Sequence, residues 1–567
     1  KMGSMGNVLT YEPKVQFTPE LDDTIQRVRY DFEYTKAELL RERFTQTYLD
    51  WCKGLNVKSR AQAYGRGFFP LESSLDYDIP ECESWTMTWL RHRLGEEMSE
   101  EDYRRGRAYT MVNKYVSSAA HLRGKRLVSC EEMTNTYTVF NMTLELLKIG
   151  GDQTAISGVT HSIFHGFNYS PKEAPFPGWI RYGAYYNENN NWWPYFKYYT
   201  AYKGRMASAL QHGTMYADIA ILHPIADMWS TLGMQNEPFP ATTNVKYKTL
   251  VWEAIHKNGS GCDYVSESII RDAEMKDGYL CYGPRKYKTL FLIEVESMEP
   301  ATAHKLYDFV ASGGRIFCIE AYPHKSVGLK DHDKHDKEVQ EWVAKMKQMD
   351  GRFILLHKPE KDFVGWYQGV QKDYGLTPYM TIEKPDPYLM QNRYQGDNKE
   401  EMFFFSYAHR YNSHQTRISF SNEVVKGRQG WVWDLETGER YRLPLDAANS
   451  FLFDFGPADS LLIVFDKQKR GNDYKPLPVS GEDLKDLSSD WDVEFRHSRE
   501  NTVQNTHFDK LKDLKDTDYV NFCGTIVYRK KVNVSSPVGM VLNLGLVHGV
   551  SEVFVNGQSC GVKWYGR

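Results

Sequence analysis

The 567-residue chain lacks any apolar run of the roughly 18 residues that a membrane-spanning helix needs. It lacks paired cysteines as well. Eight cysteines are scattered at 52, 82, 130, 262, 281, 318, 523 and 560. None forms a C-x-x-C or a Cys/His cluster with zinc spacing, and eight in this length is no disulfide scaffold. Charge of one sign is absent too. The formal net charge of -4, from 70 Lys and Arg against 74 Asp and Glu, gives no reason to expect nucleic acid or an anionic membrane as partner. No G-x-G-x-x-G or Walker pattern occurs, so the α/β segment described below reads as structural and not nucleotide-binding. The amino end, KMGSMG, carries no secretory signal and reads as interrupted.

What is present is an ordinary globular composition, 41% hydrophobic and 25% charged, with length for three or four domains. Aromatic residues reach 14%, including 14 Trp and 38 Tyr. Their flat faces suit sugar rings, and they equally fill large cores.

The stretch from Arg60 to Trp193 holds three extended runs, each followed by a helical pattern and each ending in polar residues. The runs are SRAQAYG leading into DYDIPECESW, then RLVSCEEMT, then THSIFHGFNYSP. Polar residues at the carboxyl ends of strands are how a (β/α) barrel builds a site. Upstream, the composition of 26–35 points to a strand. A helix over Lys36 to Lys53 follows, with Leu40, Phe44, Tyr48 and Trp51 as one buried face and Gly54 as its stop. Helices are expected over Asp102 to Leu122, from Thr143 through Ile149 and on past Gly151, and over Trp192 to Leu210, the last stopped by Gly213. These make about four β/α units of a (β/α)8-type barrel occupying 1–215, whose earlier units are expected upstream of Lys1. Residues 216–350 carry the short apolar runs of an α/β, Rossmann-like domain with a parallel sheet. Residues 351–470 alternate as an antiparallel β domain. Residues 471–567 are mostly β, including GMVLNLG and a type I′ hairpin turn at Asn556-Gly557.

Asp78, Glu81 and Glu83 fall within six residues, and Glu131 and Glu132 end the next strand. Cleaving a glycosidic bond needs one carboxylic acid to protonate the leaving oxygen and one carboxylate to activate water or attack. Solvated surface acids would give the same spacing. His161 and His165, at i and i+4 of HSIFH, fall on one strand face and could line the barrel mouth, or could be structural. Asn190, Trp192 and Trp193 in NENNNWW suit hydroxyl recognition and ring stacking, or a polar loop before a helix.

The blocks YGRGFFPLESSLDYDIPECESW, SSAAHLRGKRLVSCEEMT and HSIFHGFNYSP, with FPGW and NNNWW, occur in this order. They resemble glycoside hydrolase family 106, the α-L-rhamnosidases, over roughly residues 26–215. SEVFVNGQSCGVKW resembles the galactose-binding-like β-sandwich of large glycosidases. The family resemblance implies an exo-acting, inverting enzyme that releases terminal L-rhamnose from a plant polysaccharide or glycoconjugate, in the periplasm or outside the cell. It also implies a catalytic pair, Glu83 as general acid and Glu131 as general base or with the roles exchanged, and a calcium ion near the sugar with Glu81 as a ligand. His161, His165, Asn190, Trp192, Trp193 and Tyr64 are the expected substrate-facing residues. Two other readings stay open: a retaining barrel glycosidase of β-galactosidase type, and a carbohydrate-binding protein without catalysis.

Overall fold

The computed structural model describes residues 18–65, 68–84, 108–134, 140, 142–179, 183–233, 248–476, 485–534, 540–545, 547 and 549–566. Among them no helix is long and apolar enough to cross a membrane.

The first element corrects an expectation. Residues 26–35 lie inside a helix, α1 (Pro19–Leu39), not a strand. Aromatic and β-branched residues favour strands, but the start signals here are helical. The Thr18 side chain accepts from Leu21 N, Pro19 opens the first turn, and Glu20 and Asp22 sit at its positive end. Ile25, Arg29 and Glu33 are buried at intervals of one helical turn, and Arg27 and Tyr30 are buried as well. Long-range bonds fix the helix, with Arg27 Nη2 on Asp336 at 2.8 Å and Arg29 Nη1 on the carbonyl of Thr231 at 3.1 Å. The chain continues through a π-helical turn (Leu40–Thr45) into a helix over Gln46–Gly54. The expected buried stripe is not there: Phe44 and Trp51 are 62% and 61% exposed, and Thr45 and Cys52 are buried instead.

Four strands then form one parallel sheet in chain order, β1 (Arg60–Gln62), β2 (Ile79–Ser84), β3 (Ser129–Glu132) and β4 (His161–Phe164). Helix α2 (Ala108–Leu122) covers its back, with Val112, Val116 and Ala120 packed on Cys82, Val128, Cys130 and Val159. Side chains alternate across a strand, so burying the two cysteines turns Glu81, Glu83 and Glu131 to the opposite, open face. Helix α3 (Leu144–Ile156) starts at Thr143, whose side chain accepts from Leu146 N. Helix α4 (Phe196–His212) follows a short 3-10 turn at Trp193–Tyr195 and ends against Gly213. Residues 102–107 of the expected helix before β3 lie outside the described residues.

A second parallel sheet has five strands in the spatial order 353–356, 315–319, 289–293, 219–222, 262–265. Phe353–Leu356 therefore pairs with Arg315–Ile319 and not with the antiparallel strands that follow it in sequence. A short apolar run reads alike for either sheet, so its long-range partner decides. The same holds for Gly213–Met215, which pairs with Leu389–Gly396 in a six-stranded antiparallel sheet and not with the β1–β4 sheet. At the carboxyl end, Ser489–His497 pairs with strands on both sides, and Ser551–Val555 forms a hairpin with Gln558–Lys563. Asn556 and Gly557 both have positive φ, as a type I′ turn requires. Residues 540–545 of GMVLNLG are not a strand.

A buried charge cluster binds the two parallel sheets together. Asp263, on the strand Cys262–Val265, accepts from Arg285 at 2.5 Å, Tyr287 at 3.0 Å and His121 of α2 at 2.8 Å. Lys114 of α2 lies 3.9 Å away. Burial opposes ionisation of Asp263, but Arg285, His121 and Lys114 outweigh it and hold the carboxyl well below its usual range. A depressed acid contributes stability above its unfolded value, near 3.9, and loses it as pH falls further. Asp263→Asn would leave Arg285 buried without its counter-charge. The expected cost is about 3–5 kcal/mol at neutral pH, read from urea unfolding, with the difference from wild type shrinking below about pH 4.

Candidate active site

Period-two alternation puts Arg60, Gln62 and, just past the strand end, Tyr64 on the open face, beside Glu81 and Glu83 of β2 and Ser129 and Glu131 of β3. Register then sorts them into rows. Gln62, Glu81, Ser129 and His161 are mutual neighbours across the four strands, and Glu83, Glu131 and Ile163 form the next row toward the carboxyl ends.

One hydrogen-bonded chain joins the two glutamates. Gln62 Nε2 donates to Glu131 Oε2 at 2.6 Å and to Glu81 Oε1 at 3.3 Å. The Tyr64 hydroxyl lies 2.9 Å from Gln62 Oε1 and 3.1 Å from Glu83 Oε2. On the far side His165 Nδ1 is 2.5 Å from Glu131 Oε1 and 2.9 Å from Thr134 Oγ1. Glu83, Glu131 and His165 are each half-buried, and each offers an atom within 4.8 Å of the others. Burial, and then the neighbouring Glu83, push the Tyr64 phenol far above its usual range, so it keeps its proton.

Adjacent acids have separate work. Glu132 points to the other side of the sheet, fully buried, where it meets Lys203 at 3.0 Å and Ser162 at 2.6 Å. Asp78 lies at the strand's opposite end and accepts from the backbone and side chain of Ser59 at 2.8 and 2.9 Å. Those bonds, the backbone one foremost, hold its carboxyl below the usual range.

The expected substrate residues divide. Tyr64 and His165 reach the glutamates, while His161 sits one row behind them, half-buried. Trp193 is half-buried, stacked on Phe196 with centroids 5.4 Å apart. Trp192 is 5% exposed and its indole donates to the carbonyl of Met142 at 2.6 Å, so it belongs to the core. Asn190 is buried, and its backbone carbonyl accepts from Trp193 N in a turn. Neither is free to face a sugar. Gln62 and Arg60, absent from the expected set, were marked by their two-residue spacing from Tyr64 in RAQAY.

Among the described residues, Glu81 and the close trio offer fewer free oxygens than a calcium ion takes. That ion takes six to eight oxygen ligands. Glu81 spends its oxygens on Arg60 at 3.2 Å, Ser129 at 2.7 Å and Gln62. The close trio has two carboxylates and an imidazole. Among the described residues no all-oxygen cage forms here.

Gly183 holds the chain against the site. Its φ is +85°, and a Cβ there would lie 2.0 Å from the carbonyl oxygen of His165. Gly204 on α4 has open space around it. Thermal unfolding should show Gly183→Ala destabilised by at least about 1–3 kcal/mol, and Gly204→Ala unchanged or stabilised by up to about 1 kcal/mol. Equal effects would mean that His165 is not held by this contact.

The chain matches the alpha-L-rhamnosidase family pattern over residues 18–445. A protein of Formosa agariphila named "Putative beta-glucuronidase" is 23% identical over 476 residues, 81% of this chain and 36% of that protein. A solved rhamnosidase from Novosphingobium sp. PP1Y superimposes with a TM-score of 0.68 at 19% identity, covering 96% of this chain and 50% of that one. An apo exo-carrageenase from Bacteroides ovatus gives 0.50 at 11% identity, over 81% of this chain and 60% of that one. The chain thus spans between about a third and three fifths of the length of these relatives. At such identities the structural likeness speaks for the fold, a multidomain α/β plus β architecture. The family match covers most of the chain, and this chain belongs to glycoside hydrolase family 106, the α-L-rhamnosidase family.

Proposed function

We propose that the face carrying Glu83 and Glu131 is the catalytic centre of an exo-acting α-L-rhamnosidase, with Glu83 as the acid that protonates the glycosidic oxygen. The four-stranded parallel sheet is read as part of a (β/α) barrel, with the site at its carboxyl edge. The observation that carries the proposal is the hydrogen-bonded chain between the two carboxyls.

The two carboxyls differ in their partners. The Gln62 amide nitrogen faces Glu131 and Glu81, and its Oε1 accepts from Tyr64. The same hydroxyl lies 3.1 Å from Glu83 Oε2, to which it can also donate. As an acid catalyst Glu83 would carry a proton, and this contact would then run the other way, with Glu83 donating to the phenol oxygen. Glu131 receives Gln62 on one oxygen and contacts His165 on the other. Unequal surroundings for two neighbouring carboxyls are how an acid and a base are kept apart at one pH.

In the inverting reading, which the family resemblance supports, Glu131 takes a proton from the water that attacks the anomeric carbon. The close approach of the two carboxyls keeps a second reading beside it. Inverting carboxyls stand ~6.5–9.5 Å apart and retaining ones ~5–5.5 Å, and the nearest oxygens of Glu83 and Glu131 lie within 4.8 Å of each other. In a retaining enzyme Glu131 would itself attack and form a glycosyl ester, which water then cleaves with Glu83 acting as base. No step in either reading is assigned to a metal.

Proton NMR of aryl α-L-rhamnoside hydrolysis separates them. β-L-rhamnose appearing first means inversion, and α-L-rhamnose first means retention. In either case Glu83→Gln and Glu131→Gln should each lower kcat by at least about 100-fold. Turnover of an aryl β-D-glucuronide with none of the rhamnoside would keep the carboxyls and replace the sugar. Tyr64→Phe tests the proton assignment. It removes the acceptor for protonated Glu83, so the basic limb of the kcat/KM profile should move down by about one pH unit. An upward shift would mean that Tyr64 donates to Glu83.

A further inference from the structure

We propose that Phe167, Tyr169 and Trp179 form a stacking platform for the sugar rings on the leaving-group side of the cleaved bond. This rests on the glycosidase reading above and assigns its outer subsites. The three rings are 59%, 66% and 64% exposed, although large aromatics are ordinarily well buried. They lie on the segment that leaves the site directly after His165, the residue in contact with Glu131.

The support beneath each ring is built. Phe167 leans on Trp193 with centroids 5.9 Å apart, and Tyr169 meets Trp179 edge-on at 6.4 Å. The backbone between them is tied down. Phe167 bridges to Tyr186, Asn168 N donates to the carbonyl of Tyr186 at 3.2 Å, and the Asn187 side chain donates to the carbonyl of Asn168 at 3.0 Å. Trp179 N donates to Ser170 Oγ at 3.0 Å, and Gly178, at φ +91°, permits that approach because a Cβ would lie 2.4 Å from the same oxygen. Rings held in place before binding lose little conformational freedom on binding. Phe176, also on this loop, is not part of the platform. It stacks on Phe140 at 5.4 Å and lies 4.0 Å beneath the Arg499 guanidinium, so its faces are taken.

Composition selects the occupant. From His165 to Trp179 the chain has no Leu, Ile, Val or Met, and its aromatic rings alternate with Asn168, Ser170 and prolines. Flat apolar faces set among polar groups fit the alternating C–H faces and hydroxyl edges of a saccharide. A protein-binding surface of this size would be expected to have a continuous apolar centre.

The test compares two substrates that share the cleaved sugar. Methyl α-L-rhamnoside has no rings to stack, whereas an α-L-rhamnosyl-capped tetrasaccharide presents three. Trp179→Ala and Tyr169→Ala should raise KM for the tetrasaccharide about 10-fold or more, while kcat/KM for the methyl glycoside changes less than about two-fold. Equal losses on both substrates, or none on the tetrasaccharide, would overturn the platform. A wild-type chain that cleaves neither rhamnoside would overturn the function reading alone. The platform is then judged by saturation-transfer NMR with the rhamnose-free trisaccharide, whose signal must appear with wild type and vanish with both variants. A signal that is absent with wild type or unchanged in the variants refutes the platform. So does sedimentation showing a wild-type dimer that both variants abolish, which would make these rings a contact between copies of the chain.

Discussion

Two carboxyl groups set side by side on neighbouring parallel strands are the constraint around which this face is arranged. The in-register pairing of Glu83 with Glu131 leaves no freedom to separate them. The neighbours divide accordingly. Gln62 and His165 contact Glu131, Arg60 pairs with and Ser129 donates to Glu81 one row behind, and the Tyr64 hydroxyl faces Glu83. The opposite side of the same strands takes the cysteines into a small apolar layer beneath α2. That layer fixes which way the acids point.

Much of this was legible from strand alternation. PECES puts Glu81 and Glu83 on one face, SCEE splits Glu131 and Glu132 between the two, and RAQAY puts Gln62 and Tyr64 on the face of Glu81, Glu83 and Glu131. Glu131 and Glu132 cannot be told apart from their order alone. Lys203, 71 residues further on, claims Glu132 for the core. The misread elements share that cause. Residues 26–35 have strand-like composition but helical start signals and long-range anchors at Thr231 and Asp336. Phe353–Leu356 is a strand in either reading, and its sheet is chosen by Arg315–Ile319.

The aromatic residues show the same dependence on context. Trp192 and Trp193 look equivalent as a WW pair, yet the indole of Trp192 is sealed in the core while Trp193 stays half-buried and supports Phe167. The rings left open to solvent come from the preceding loop, where turns and one close glycine contact hold them outward. Aromatic abundance suits sugars and large cores alike. Which rings are available for that purpose is a property of packing.

The ammonium of Lys148 on α3 is wholly enclosed. It is held by Asp152 at 2.7 Å, the carbonyl of Ala458 at 2.7 Å and Ser460 at 2.9 Å, the last two from the start of the strand Ser460–Asp466 of the six-stranded antiparallel sheet and the turn before it. A helix packed beside the strands that carry Glu83 and Glu131 therefore shares its buried charge with a different layer, much as Asp263 reaches His121 across the other boundary. Those strands have only the small apolar layer beneath α2 as an interior of their own. Their amides should exchange with solvent in the same cooperative unit as the surrounding layers, so this sheet is not expected to stand alone as a smaller, self-sufficient domain.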